Sequence, residues 1–174
     1  MLNLRYKKSA MDIDTIIKQW FALSQGQETS RGDIFFQFVA LWIAFNAMYA
    51  SQDSDDVGDW DQIATFAGDR NLNDLHNMLL RNPVYERAIS RLREKGVFDT
   101  ATGKRRKIRN PKNLVEVMRC LYQVRCNLFH GGKMPENPRD ERLVEASHTI
   151  LTRLLAERLG VSGRQETMFS DLAP

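Results

Sequence analysis

The residues of this chain best equipped for chemistry lie close together: Arg125-Cys126-Asn127-Leu128-Phe129-His130, followed by Gly131-Gly132-Lys133. A histidine takes up or releases a proton near neutral pH, while an arginine keeps its charge and presents a fork that matches two phosphate oxygens. Such groups suit the cleavage of RNA by its own 2′-hydroxyl. One group removes the hydroxyl proton, one protonates the leaving oxygen, and a cation holds the charge developing on the phosphate. Asn127 precedes His130 by three positions on the same helical face, where it can orient the ring or donate to phosphate. Lys104, Arg105, Arg106, Lys107 and Arg109 put five cations in six residues, and with Lys133 they are candidate nucleic-acid contacts. Each group also has a plainer occupation. A histidine at a helix C-terminus is stabilised by the dipole by about 0.3–1 kcal/mol. An arginine can lie over the edge of a core, and a charge run can be a solvated loop.

These residues need a helix to carry them. Leu114, Val117, Leu121, Val124 and Leu128 recur at three- and four-residue spacing, predicting a helix over about 111–129 that stops at the glycine pair. On an ideal helix, residues five apart diverge by about 140°. Arg125 and His130 therefore converge only if the last turn loosens, or if they act across an interface. Cleavage also needs an acid and a base, and each chain brings one histidine here. A two-fold dimer that packs this helix end on its mate would supply both.

The wording Val124-Arg125-Cys126-Asn127-Leu128-Phe129-His130-Gly131-Gly132-Lys133 resembles the HEPN domains, in particular the Apea-like branch, whose mark is an arginine followed by four residues and a histidine. A second piece, Ala40-Leu41-Trp42-Ile43-Ala44-Phe45-Asn46-Ala47-Met48-Tyr49, is similar to the central helix that accompanies the motif in that branch. One position departs: the residue after the arginine, commonly Asn, Asp or His, is Cys126 here. The resemblance implies an antiparallel all-α bundle and a metal-independent endoribonuclease, or an RNA-binding domain derived from one. It implies a site at a dimer groove built from Arg125 and His130. It also implies a setting among toxins and defence effectors, with RNA, a second copy and an antitoxin or other protein as partners. No cofactor or metal is expected. Two alternatives stand beside it: a non-catalytic nucleotide or RNA binder, and a protein-interaction (dimerisation) module built on the central helix.

The remainder reads as scaffold. At 174 residues the chain is long enough to bury roughly 70% of its unfolded surface. We read 1–160 as one HEPN-like helical domain and 161–174 as a C-terminal tail. Helices are predicted over about 12–24, 34–50, 60–67, 72–80, 84–93 and 140–159, the fifth opened by Pro83 and the last closed by Gly160. Ser30 is a candidate cap for the second, and Pro135 and Pro138 are expected to hold the chain out of helix. The 34–50 segment has no polar face. It contains Gln37 and Asn46, lacks basic flanks and is shorter than a span of about 20 residues, so it is expected at the centre of a bundle, not in a membrane. Residues 96–110 read as a loop, and no segment alternates like a strand. The acidic stretch 51–59 lacks the spacing of a calcium loop. His76 and His148 read as structural residues at exposed or boundary positions, and Trp20, Trp42 and Trp60 as core or interface. Asn46 needs a hydrogen-bond partner. Cys120 and Cys126 are about 9 Å apart along one helix. That is beyond disulfide reach, so reduced thiols are expected. With no apolar core of signal-peptide length near Met1, a cytoplasmic location is expected as well.

Overall fold

The computed structural model describes residues 13–25, 33–50, 58–99, 102–130 and 137–161. Among them are seven helices: α1 (Ile13–Ser24), α2 (Asp33–Ala50), α3 (Asp59–Ala67), α4 (Arg70–Leu79), α5 (Pro83–Lys95), α6 (Leu114–Phe129) and α7 (Pro138–Arg158). The chain is thus an all-α bundle. None of these helices is long and apolar enough to cross a membrane. Ser30, Gly131, Gly132, Lys133, the acidic residues before Gly58 and the segment 162–174 lie outside the described residues.

Local sequence sets the helix ends. Asn82 accepts from the N–H groups of Val84 and Tyr85, with Pro83 at the first helical position of α5. The same pair recurs at α7, where Asn137 accepts from Arg139 N–H and Pro138 starts the helix. Pro138 therefore opens α7 instead of excluding it, because a first-turn position has no intrahelical N–H to lose. Asn113 caps α6 in the same manner, so the motif helix begins at Leu114, after a turn at Pro111–Lys112. At the far end of α7, Gly160 takes φ +67°. Its N–H meets Glu157 C=O, and Val161 N–H meets Ala156 C=O, two bonds that close the last turn.

The core is organised by α2 and α7. Helix α2 packs on α1, α7 and α3, while α7 also packs on α5, α4 and α6, and α3 lies on α6. Phe38, Leu41, Trp42 and Phe45 of α2 are buried, as its unbroken apolar run predicts. Trp42 meets Phe45 edge-on at 5.2 Å, and Phe45 meets Phe66 of α3 at 5.3 Å. The burial is not complete: Phe36 stays 57% exposed. Asn46 finds its partner one turn on, accepting from the Tyr49 hydroxyl.

Between α5 and α6 the expected loop contains a small antiparallel hairpin, β1 (Val97–Phe98) and β2 (Arg105–Arg106). Two residues per strand are too few to alternate visibly in sequence. Gly96 turns the chain out of α5 with φ +64°, and a Cβ there would sit 2.5 Å from the Arg106 carbonyl oxygen. Only glycine fits that approach.

His76 departs from its expected surface position. It is fully buried, with Nδ1 2.8 Å from the Tyr85 hydroxyl and Nε2 2.8 Å from the Pro111 carbonyl. A carbonyl only accepts, so Nε2 carries the proton and Nδ1 accepts from Tyr85. The ring is structural, and joins α4 and α5 to the entry of α6.

Candidate nucleic-acid interface

The motif arginine is held by rings. Arg125 is half-buried on α6, its guanidinium 4.7 Å from the Phe129 ring centre and 5.8 Å from that of Tyr122. Those residues stand four positions after and three before it, so the side chain lies along its own helix between neighbouring turns. Nη1 reaches the Cys126 sulfur at 3.9 Å, and the buried Nε has no hydrogen-bond partner. Among the described residues no carboxylate is within ion-pair distance of it. A ring fixes a guanidinium without cancelling its charge, which leaves the cation able to meet an anion.

His130 caps α6. Its backbone N–H bonds Cys126 C=O at 3.0 Å, and its side chain is exposed. Phe129, beside it, is 52% exposed.

Asn127 has a different occupation from the one its spacing allows. It is 2% exposed. Its oxygen accepts from Gln123 Nε2 at 3.0 Å, and its nitrogen donates to the Phe98 carbonyl on the hairpin. Gln123 in turn accepts from Arg106 Nε at 2.9 Å, and Arg106 also pairs with Asp99 at 3.4 Å. The Asn127 amide is closed to solvent. It fastens the hairpin to the motif helix.

The basic run is divided by that attachment. Lys104, Arg105, Lys107 and Arg109 are exposed as expected, but Arg106 folds inward. Its guanidinium lies 4.2 Å from the centre of the Trp60 ring, which Arg119 of α6 approaches at 5.0 Å. Trp60 meets Tyr122 edge-on at 5.5 Å. A row of cations and rings in contact therefore runs from Arg106 through Trp60 and Tyr122 to Arg125 and Phe129.

Arg119, Tyr122 and Gln123 were not singled out from sequence, and Trp60 was read only as core or interface. The signal within α6 is the spacing Arg119, Tyr122, Arg125, Phe129, a polar–aromatic alternation at helical repeat. The part played by Trp60 is set by the packing of α3 on α6.

The electrostatics of the row favour neutral phenols beside fixed cations. Burial, then a hydrogen bond to Cys126, pushes the Tyr122 hydroxyl up to about 12. Burial, then the Asp59 charge, raises Tyr49, against the opposing pull of Arg125. Cys120 is buried and its thiol is pushed up to about 12, which makes it an inert packing group, and both cysteines are free thiols. Among the described residues no cluster of three or more His, Cys, Asp or Glu is placed to hold a metal.

In comparisons with known proteins, no family model matches the chain, and no curated protein or solved structure matches it with significance.

Proposed function

We propose that this chain is a HEPN-type RNA-binding domain that cleaves RNA without a metal, acting through the ribose 2′-hydroxyl in the manner of a toxin or defence effector. The observation that carries the reading is the ring-held guanidinium of Arg125, with no carboxylate at ion-pair distance among the described residues, five residues before the exposed His130 at the end of α6. In this reading the 2′-oxygen attacks the adjacent phosphorus as its proton passes to one His130. The P–O5′ bond breaks as a second His130, from the partner chain, protonates the leaving oxygen. Arg125 holds the equatorial oxygens, where charge accumulates. The 5′ fragment ends in a 2′,3′-cyclic phosphate and the 3′ fragment in a free 5′-hydroxyl.

A second reading rests on a particular observation: Asn127 is buried and its amide serves Gln123 and the hairpin carbonyl of Phe98, which is a structural occupation. The same surface would then bind RNA and leave it intact. Incubating purified protein with RNA in excess chelator separates the two. Fragments with cyclic phosphate ends support the nuclease, whereas intact RNA bound in a salt-sensitive complex supports the binder.

A further inference from the structure

The hollow between the hairpin and the start of α6 takes no part in the chemistry assigned to Arg125 and His130, yet six of the chain's 25 Lys and Arg side chains gather there. It has a volume of about 470 Å³ and is lined by Lys104, Arg105, Arg106, Lys107, Arg109 and Arg119. Two acids share the lining, and both are engaged. Asp99 pairs with Arg106. The Glu116 carboxylate accepts from the backbone N–H groups of Arg109 at 2.6 Å and Asn110 at 3.0 Å. Lys104, Lys107 and Arg109 project exposed, with no carboxylate at ion-pair distance among the described residues. Arg105 and Arg119 rest over Phe98 and Trp60, held in place with their charge intact.

We propose that this hollow is a phosphate-binding subsite for the sugar–phosphate backbone of single-stranded RNA, flanking a cut made at His130. The inference rests on the nuclease reading for the position of the cut, though not for the binding itself. Arg119 and His130 are eleven residues apart, about 16 Å along the helix at about 1.5 Å per residue. That separation corresponds to about five nucleotide steps at about 3.4 Å each, or fewer if the strand is stretched. The row through Tyr122 and Arg125 connects the two ends. The subsite reads backbone and not bases, because no aromatic ring lines it and the nearby rings of Phe98 and Trp60 already lie under guanidinium groups. Substrates too short to span the row bind without the hollow, and base identity there has no effect.

The test measures binding of 2′-deoxy-substituted single strands of about 3 and about 12 nucleotides across a salt series, with cleavage of the matching all-ribose strands alongside. Three proteins are compared: wild type, Lys104→Gln/Lys107→Gln/Arg109→Gln, and Arg139→Gln/Arg142→Gln. The last removes charge from a different hollow, between α5 and α7. All five side chains sit at exposed or half-exposed positions, and melting curves check that the fold is kept. We expect the triple variant to lose affinity for the long strand only, its salt slope falling by about two at about 0.7 per phosphate contact. The charge-control variant should bind as wild type does. A triple variant indistinguishable from wild type, or a control that loses as much, overturns the subsite. Binding of the long strand through the hollow without any cutting keeps the subsite and sinks the nuclease reading. Equal binding and equal cutting of the long strand by wild type and triple variant keep the nuclease and sink the subsite.

Discussion

Asn127 on the motif helix donates its side-chain N–H to the backbone carbonyl of Phe98, the last residue of β1. That bond, with Gln123 and Arg106 behind it, sets where the basic hairpin stands relative to Arg125 and His130.

Asn127→Ala should therefore behave as a structural lesion. It leaves the Phe98 carbonyl and the Gln123 amide without partners, a loss of about 1–3 kcal/mol for buried groups. Thermal unfolding checks this. If instead Asn127 worked on substrate alone, the melting temperature would stay put while cleavage fell.

Gly96→Ala should destabilise the same attachment from the opposite side. A Cβ at φ +64° would stand 2.5 Å from the Arg106 carbonyl, so β2 must move or the turn must strain. Proteolysis within the hairpin is the sensitive readout. Wild-type resistance in the variant would show that the close approach does not hold in solution.

Arg125→Lys separates charge from shape. Lysine keeps the cation but has no planar fork to lie over Tyr122 and Phe129 or to grip two oxygens. Cleavage should drop toward the Arg125→Ala level, about 10²–10³-fold below wild type if the guanidinium acts as a charge-stabilising donor. A lysine variant with near-wild-type rate would mean that charge alone suffices.

Acid should weaken the fold before most carboxylates titrate. Burial, opposed by the Ser24 carbonyl bonded at Nε2, lowers His148 to about 4, and burial, opposed by the Pro111 carbonyl, also lowers His76. Both rings are thus held neutral in the fold, while the unfolded chain takes up protons near about 6.5. Stability is full above that value and declines as pH falls from about 6.5 toward the folded-state values. Melting curves across this window check the sign, and His148→Gln should flatten the decline.

The bundle was legible in sequence because its signals are local. The unbroken apolar run of α2, the Pro83 start and the Gly160 stop each mark an element without reference to any other, whereas Pro138, expected to exclude helix, opens α7. His76 was misplaced at the surface, although Leu72, His76 and Leu79 share one buried face at helical spacing. The hairpin was not legible, for its strands are held by residues that contact one another only after folding. Asn127 could not be assigned for the same reason: nothing within α6 announces the carbonyl of Phe98. Likewise Arg106 belongs to a charge run in sequence and to a tryptophan ring in the fold.

If the site is shared between two chains, as proposed, variants should complement poorly. Heterodimers of Arg125→Ala and His130→Ala chains hold one intact histidine and one intact arginine, so mixtures should stay far below wild type. A monomer that cuts RNA at full rate by size-exclusion and activity profile would remove the composite site.

The most direct measurement is single-turnover cleavage of RNA in excess chelator by wild type and by His130→Ala, each verified as folded by its melting curve. His130 is exposed, so truncating its side chain opens no cavity in the core. The account predicts that wild type yields 2′,3′-cyclic phosphate ends and that His130→Ala is slower by at least about 10²-fold, the ordinary worth of a positioned acid or base. Equal rates for the two proteins, or no cleavage by wild type, would contradict it.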